Sequence, residues 1–244
     1  MITKNIRSVG IEVEGGIDLK DKKYLEDFLE EKGIIDRYCI GTDASVQVYS
    51  KEFSDAEIKF WDDNKERFLE VIRVIYSLVK QNSTCGNHLH FRFKDDSKML
   101  SLLSYRQIWK YFIDEYKKYA LSFESENKKQ KYLSRLENKY CIAKYNENVV
   151  IYQLISKSKC SERYRAINLN SYNVHNTIEI RILPYFESVE EAIKSICWLI
   201  DIMDRIYRKR YLTVEENINI FDYIHLQPPS EYVIKIEKMK IRVM

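Results

Sequence analysis

The sequence predicts one α+β domain built on a largely antiparallel sheet, with helices over one face and the other face open and polar. Three observations predict it. Short stretches at 10–16, 56–60, 85–93 and 177–183 alternate apolar and polar residues with the period of a half-buried strand. Longer stretches at 62–81, 100–123 and 188–210 carry apolar residues every three or four positions, the period of an amphipathic helix. No repeat, low-complexity tract or linker divides the 244 residues, so a single domain over 1–244 is expected, its motifs within 10–184 and a helix plus a tail over 185–244.

The first strand is Gly10-Ile11-Glu12-Val13-Glu14-Gly15-Gly16. Residues i and i+2 of a strand lie roughly 7 Å apart on one face. Glu12 and Glu14 therefore project together, opposite Ile11 and Val13. Gly15 and Gly16 read as a turn, or as a place where the backbone bends sharply beside a phosphate.

Residues 20–32 space Tyr24, Leu25, Phe28 and Leu29 as one helix face and end at Gly33, a C-terminal cap. The segment 41–49 alternates Asp43, Ser45 and Gln47 against Ala44, Val46 and Val48, as a strand or hairpin. In 56–60, Glu57 and Lys59 face away from Ile58 and Phe60. The helix 62–81 is built on Phe68, Leu69, Ile72, Ile75, Leu78 and Val79, with Asp62 and Asp63 at its positive end. In the next strand His88, His90 and Arg92 share a face opposite Leu89, Phe91 and Phe93.

The region 100–123 reads as one long helix with an aromatic stripe packed in the core, and 124–139 as a charged stretch, helical or mobile. Arg163, Arg165, Asn168 and Asn170 read as alternating along a strand. Ile178, Ile180 and Ile182 back Thr177, Glu179 and Arg181, and Pro184 helps to end that strand. The last long helix opens with a Ser-x-x-Glu capping pattern, Ser188 with Glu191. From Thr213 onward no motif emerges.

Composition excludes several classes. The 40 basic and 37 acidic residues leave a formal charge of +3, which gives no global field for nucleic acid or an anionic membrane. Five widely spaced cysteines without a C-x-x-C argue against a disulfide framework and a zinc ribbon. With no apolar run of signal-peptide or membrane-span length, a soluble cytoplasmic protein is expected.

The polar faces together supply Glu12, Glu14, Asp43, Glu57, His88, His90, Arg92, Glu179 and Arg181. Carboxylate oxygens suit Mg²⁺, and histidine among them shifts the preference toward Mn²⁺ or Zn²⁺. Such a metal with arginine nearby is what phosphoryl transfer from a nucleotide needs. Each piece also has an ordinary explanation. A Glu-x-Glu strand can face water, His88 and His90 can be a hydrogen-bonded structural pair, and Glu179 with Arg181 can be a surface ion pair worth little. The joint occurrence in separate stretches carries the weight, helped by half of only 4 histidines falling in one tripeptide.

In order, the motifs are Gly-x-Glu-x-Glu, Asp-x-Ser-Val, a glutamate strand, Cys-Gly-x-His-x-His, Arg-Tyr-Arg-Ala-x-Asn-Leu-Asn and Thr-x-Glu-x-Arg. That order resembles the amidoligase family, within the superfamily of carboxylate-amine ligases that includes glutamine synthetase and glutamate-cysteine ligase. The resemblance spans 10–184; the matching residues are few, weak motif by motif and specific in combination.

The resemblance implies a twisted antiparallel sheet forming a half-barrel trough, helices on its outer face, with ATP at one end and the acid and amine substrates at the other. It implies Glu12, Glu14, Glu57, His90 and Glu179 as ligands of Mg²⁺ or Mn²⁺. Arg181, with one or both of Arg163 and Arg165, would bind the transferring phosphate and the acyl-phosphate; His88 would be a further catalytic residue, with the choice between His88 and His90 as metal ligand left open. Arg165, Arg92, Asn168 and Asn170 would bind or orient the nucleotide, and Asp43 and Ser45 would lie near the amine. The implied reaction is phosphorylation of a carboxylate by ATP to an acyl-phosphate, then attack by an amine to give an amide or isopeptide bond. The implied partners are ATP, a carboxylate and an amine, with a homo-oligomer possible. Two other readings stay open. One is a two-metal hydrolase, a phosphoesterase or nuclease, in which the same cluster activates water. The other is an inactive interaction protein that keeps the fold.

Overall fold

Alternation places four strands side by side, and two shorter ones complete the sheet. A computed structural model describes residues 1–42 and 53–209. The strands are β1 (Ile6–Asp18), β2 (Tyr38–Gly41), β3 (Phe53–Asp62), β4 (Gly86–Phe93), β5 (Ile167–Asn168) and β6 (Ile178–Pro184). They form one open sheet in the order β2-β3-β1-β4-β6-β5, every neighbouring pair antiparallel. Eight α-helices accompany it among the described residues: α1 (Leu19–Glu31), α2 (Lys65–Leu78), α3 (Asp96–Ser104), α4 (Arg106–Leu121), α5 (Glu126–Ser134), α6 (Glu147–Ile155), α7 (Asn170–His175) and α8 (Val189–Tyr207). The predicted α+β class with an antiparallel sheet is what forms. No helix among the described residues is long and apolar enough to cross a membrane.

One face of the sheet is apolar throughout. Val9, Ile11, Val13 and Ile17 of β1, Ile58 and Phe60 of β3, Leu89, Phe91 and Phe93 of β4, and Ile178, Ile180 and Ile182 of β6 are all buried. They share one core with Leu25 and Leu29 of α1, Phe68 and Ile72 of α2, and Leu199 and Met203 of α8. Each such side chain contributes about 1.5–3 kcal/mol when fully buried. A one-residue slip of β1 would turn its whole set toward water, so the register is strongly fixed. That register places Glu12 opposite Lys59 and His88, and Glu14 opposite Glu57, on the other face.

Local signals set the helix ends. Asp18 caps α1, accepting from Lys20 N at 2.6 Å, and Gly33 follows that helix with φ +67°. Asn64 caps α2 and Ser188 caps α8, the latter accepting from Glu191 N at 3.2 Å. Asp62 belongs to the end of β3 rather than to the helix. Its buried carboxylate accepts from Arg67 Nε and Nη2 at 2.5 and 2.8 Å and from the N–H groups of Asp63 and Asn64.

Several expectations are corrected. Gly15 and Gly16 do not turn: β1 runs on to Asp18, and Gly16 exchanges backbone hydrogen bonds with Lys80. The glycine serves a close approach of the chain to itself, since a Cβ on Gly15 would lie 2.3 Å from Val79 Cγ1 and 2.8 Å from Lys80 O. The long helix over 100–123 is two helices, α3 and α4, parted at Tyr105 in extended conformation. Ser104, whose hydroxyl donates to Ser101 O, ends α3 and lets both segments lay buried faces on the core. Arg163, Arg165, Asn168 and Asn170 do not alternate along one strand. Arg163 closes a 3-10 turn, Asn168 lies in the two-residue β5, and Asn170 begins α7. Asp43, Ser45, most of the expected strand over 41–49 and the tail from Thr213 lie outside the described residues.

Candidate functional site

The polar face carries its charges in rows across the strands. One row is Lys59 of β3, Glu12 of β1 and His88 of β4; the next is Trp61, Gly10, His90 and Glu179, the last from β6. Antiparallel pairing thus brings together residues as far apart in sequence as Gly10 and Glu179.

Glu12, His90 and Glu179 each offer a ligand atom within 4.8 Å of the others. His90 Nε2 lies 3.4 Å from Glu12 Oε1, outside hydrogen-bond geometry, and has no hydrogen-bond partner among the described residues. Its other nitrogen is 2.9 Å from Thr177 Oγ1, which fixes the ring. Asn168 Nδ2 donates to Glu179 Oε2 at 2.5 Å, and Arg181 Nη1 to Glu179 Oε1 at 2.5 Å. Two carboxylates and an orphaned imidazole nitrogen are a donor set that fits a divalent cation.

Electrostatics hold this cluster charged. Burial works against the Glu12 carboxylate, but the imidazoles of His88 and His90 outweigh it and hold its pKa far below the usual range. Glu179 is likewise lowered, with burial overcome by Arg181, His90 and His88. His90 is raised: burial opposes its charge, and Glu12 and Glu179 win. These residues form a compact net of opposite charges that a cation can enter by replacing a proton.

The expected residues divide into groups. His88 sits beneath the carboxylates, with Nδ1 3.2 Å from Glu12 and 3.5 Å from Glu179, and Nε2 3.8 Å from Glu14. Its place is that of an organiser of carboxylates, and His90 is the imidazole of the metal-competent triad. Glu14 stands outside that triad and accepts from Gly86 N at 2.6 Å. Glu57 pairs with Lys59 at 3.0 Å, and Lys59 also reaches Glu12 at 3.3 Å. Arg163 and Arg181 line the same cleft as the triad. Arg165 pairs with Glu162 at 2.6 Å and lines neither of the clefts described here. Asn168 orients Glu179, while buried Asn170 ties the carbonyls of Ser156 and Ser158 to α7. Arg92 lies on β4 beside a second cleft.

Two clefts meet at Glu12, Lys59, His90 and His175. The smaller one, about 120 Å³, holds the triad with Glu14, Glu57, Lys159, Arg163 and Arg181, carboxylates and cations in equal number once Lys59 is counted. The other, about 450 Å³, runs along Ser8, Gly10, Trp61, Arg92 and Thr177. Ligand sites span roughly 300–1,000 Å³, so the first has room for an ion and small polar groups and the second for the body of a ligand.

Sequence reasoning missed three contributors. Lys59 was visible opposite Ile58 but was not placed among the site residues. His175, on α7, has its ring 6.4 Å from that of His90 and a pKa lowered by burial and by His90. Arg135 is buried beside the site, its Nη2 donating to Arg181 O at 2.9 Å. The scarcity of histidine was a usable signal for His175; a charged helical stretch gave none for Arg135.

Scans against family models, curated proteins and solved structures each returned no match.

Proposed function

We propose that this protein is an ATP-dependent carboxylate-amine ligase that forms an amide or isopeptide bond. The observation that carries the reading is the Glu12, His90, Glu179 triad with Arg181 bonded to one of its carboxylates. It gives cationic and metal-competent groups in one cleft, where a triphosphate and a carboxylate must be held together against their repulsion. The motif order adds support, and an open antiparallel sheet with one polar face is compatible with the half-barrel trough of that superfamily.

In this reading Glu12, His90 and Glu179 would hold Mg²⁺ or Mn²⁺, which would supply positive charge against the phosphates. A substrate carboxylate oxygen attacks the γ-phosphorus of ATP, and ADP leaves. The amine nitrogen then attacks the acyl carbon; the C–O bond to phosphate breaks, phosphate departs, and the amine loses a proton. Arg181 and Arg163 face the transferring phosphate and stabilise the charge spread over its oxygens. His88 keeps Glu12, Glu14 and Glu179 in place. Lys59 holds Glu12 and Glu57 between turnovers. Exclusion of water on substrate binding would protect an acyl-phosphate from hydrolysis.

The test is release of ADP from ATP across a matrix of acids and amines. ADP and phosphate formed only when both an acid and an amine are present is the expected result. Metal-dependent hydrolysis of phosphoesters without ATP would instead establish the hydrolase reading.

A further inference from the structure

Of the three tryptophans in the chain, two are spent on packing. Trp109 is buried and donates to Ala143 O at 2.7 Å, and Trp198 stacks on Tyr119 with ring centroids 4.6 Å apart. Trp61 is different. It lies on the polar face of β3, remains 45% exposed, and lines the larger cleft. An indole left in water on an open sheet face has a large apolar surface to cover.

Beside it the floor is missing a side chain. Gly10 is paired with Trp61 on one side and His90 on the other. A Cβ built on Gly10 would lie 3.4 Å from the Cβ atoms of both neighbours, an ordinary contact, so nothing in the fold demands glycine there. Any larger side chain would project between Trp61 and His90 into the cleft. The cleft over Gly10 is thus bordered by Trp61 on one side and by His90 of the metal-competent triad on the other.

The polar groups of this part of the cleft are few. Arg92 on β4 has a buried Nε without a hydrogen-bond partner among the described residues. Ser8 and Thr177 complete the rim. A planar ring with polar edges matches this lining better than an aliphatic chain, because a ring stacks on the indole while Arg92, Ser8 and Thr177 meet its edge.

We infer that the larger cleft holds the base of the nucleotide, stacked on Trp61 above Gly10, while the phosphates extend past His90 to the Glu12, His90, Glu179 triad. The inference rests on the ligase reading for the presence of a nucleotide, and adds where its base lies and which residues grip it. Sizes agree: the smaller cleft, about 120 Å³, falls below the usual range of ligand sites, and the adjoining 450 Å³ has room for the nucleoside. The two share His90 and Glu12, so one extended ligand reaches both.

The test compares two ligands that differ in the nucleoside. ATP and inorganic tripolyphosphate, each with Mn²⁺, are titrated calorimetrically into the full chain and into Trp61→Ala, Trp61→Phe and Gly10→Val. The parent should bind ATP more tightly than tripolyphosphate. Loss of one stacking partner weakens binding by roughly tenfold, so Trp61→Ala should lose about that factor for ATP and nothing for tripolyphosphate. Trp61→Phe should retain most ATP affinity, and Gly10→Val, which fills the space over Gly10, should lose the advantage of ATP altogether. ATP should also quench tryptophan fluorescence in the parent and not in Trp61→Phe. Equal affinity for the two ligands in the parent, or undiminished ATP binding by Trp61→Ala, would overturn the base site and leave the ligase reading standing. Absence of Mn²⁺-dependent binding of either ligand by the parent would overturn both.

Discussion

His90 Nε2 stands 3.4 Å from Glu12 Oε1 without completing a hydrogen bond, while its Nδ1 is tied to Thr177 at 2.9 Å. The ring is held from behind and presents an unused lone pair or proton to the carboxylates. Losing such a supporting partner typically costs 10–100-fold in metal affinity. Thr177→Val keeps the shape and removes the hydroxyl, so Mn²⁺ binding should weaken by about tenfold with the melting temperature almost unchanged. Unaltered Mn²⁺ affinity in a folded variant would remove His90 from the ligand set.

Lys59 competes for the same oxygens. Its ammonium lies 3.3 Å from Glu12 and 3.0 Å from Glu57, and the side chain is partly exposed. A half-solvated pair of this kind is worth up to about 1 kcal/mol. Lys59→Met should therefore tighten metal binding by roughly fivefold in the absence of nucleotide. A fall in metal affinity would show that Lys59 positions Glu12 rather than occupying it.

Two glycines of β1 should respond differently to the same substitution. A Cβ at Gly15 collides with Val79 and with the Lys80 carbonyl, while one at Gly10 makes ordinary contacts. Overpacking of this kind costs about 1–3 kcal/mol. Gly15→Ala should lower the melting temperature by several degrees, and Gly10→Ala should leave it within about 2 °C. Thermal unfolding followed by circular dichroism separates them.

Acid should expose the role of Asp62. Burial works against its charge, but Arg67 and the N–H groups of Asn64 and Asp63 prevail and hold its pKa below the ordinary value. A lowered carboxyl contributes stability above its unfolded pKa of about 3.9 and loses it as pH falls through the folded value. Asp62→Asn should be less stable than the parent by about 2 kcal/mol at pH 7. The gap should begin to narrow below about pH 4 and vanish only once pH falls below the lowered folded value, as read by urea unfolding at each pH. A gap that does not narrow as pH falls from about 5 toward the acid limit would assign the loss to packing.

The strands were legible because Ile11, Val13, Leu89, Phe91, Ile178 and Ile180 alternate with charged residues, and burial on one face leaves no other arrangement. That alternation also exposed Glu12, His90 and Glu179, since residues facing away from a core are visible as such. It failed where no periodic core contact exists. Arg163 through Asn170 mimic a strand, yet Asn170 spends its amide on the carbonyls of Ser156 and Ser158, a loop tie with no periodic signature. The helix α6 went unnoticed because its short run is apolar on several sides. The break at Tyr105 was hidden because α3 and α4 both bury apolar faces, so hydrophobic period continues across it. Arg135 reaches the site only through tertiary packing against β6, and its charged neighbours resemble an exposed surface.

The central claim is that Glu12, His90 and Glu179 bind a divalent ion that brings a nucleotide to the sheet. Calorimetric titration of ATP in the presence of Mg²⁺ or Mn²⁺, into the parent and into Glu12→Gln and Glu179→Gln, tests it most directly. The account predicts metal-dependent ATP binding by the parent and its loss in both variants, each still folded. A parent that binds no ATP, or variants that bind it as the parent does, would contradict it.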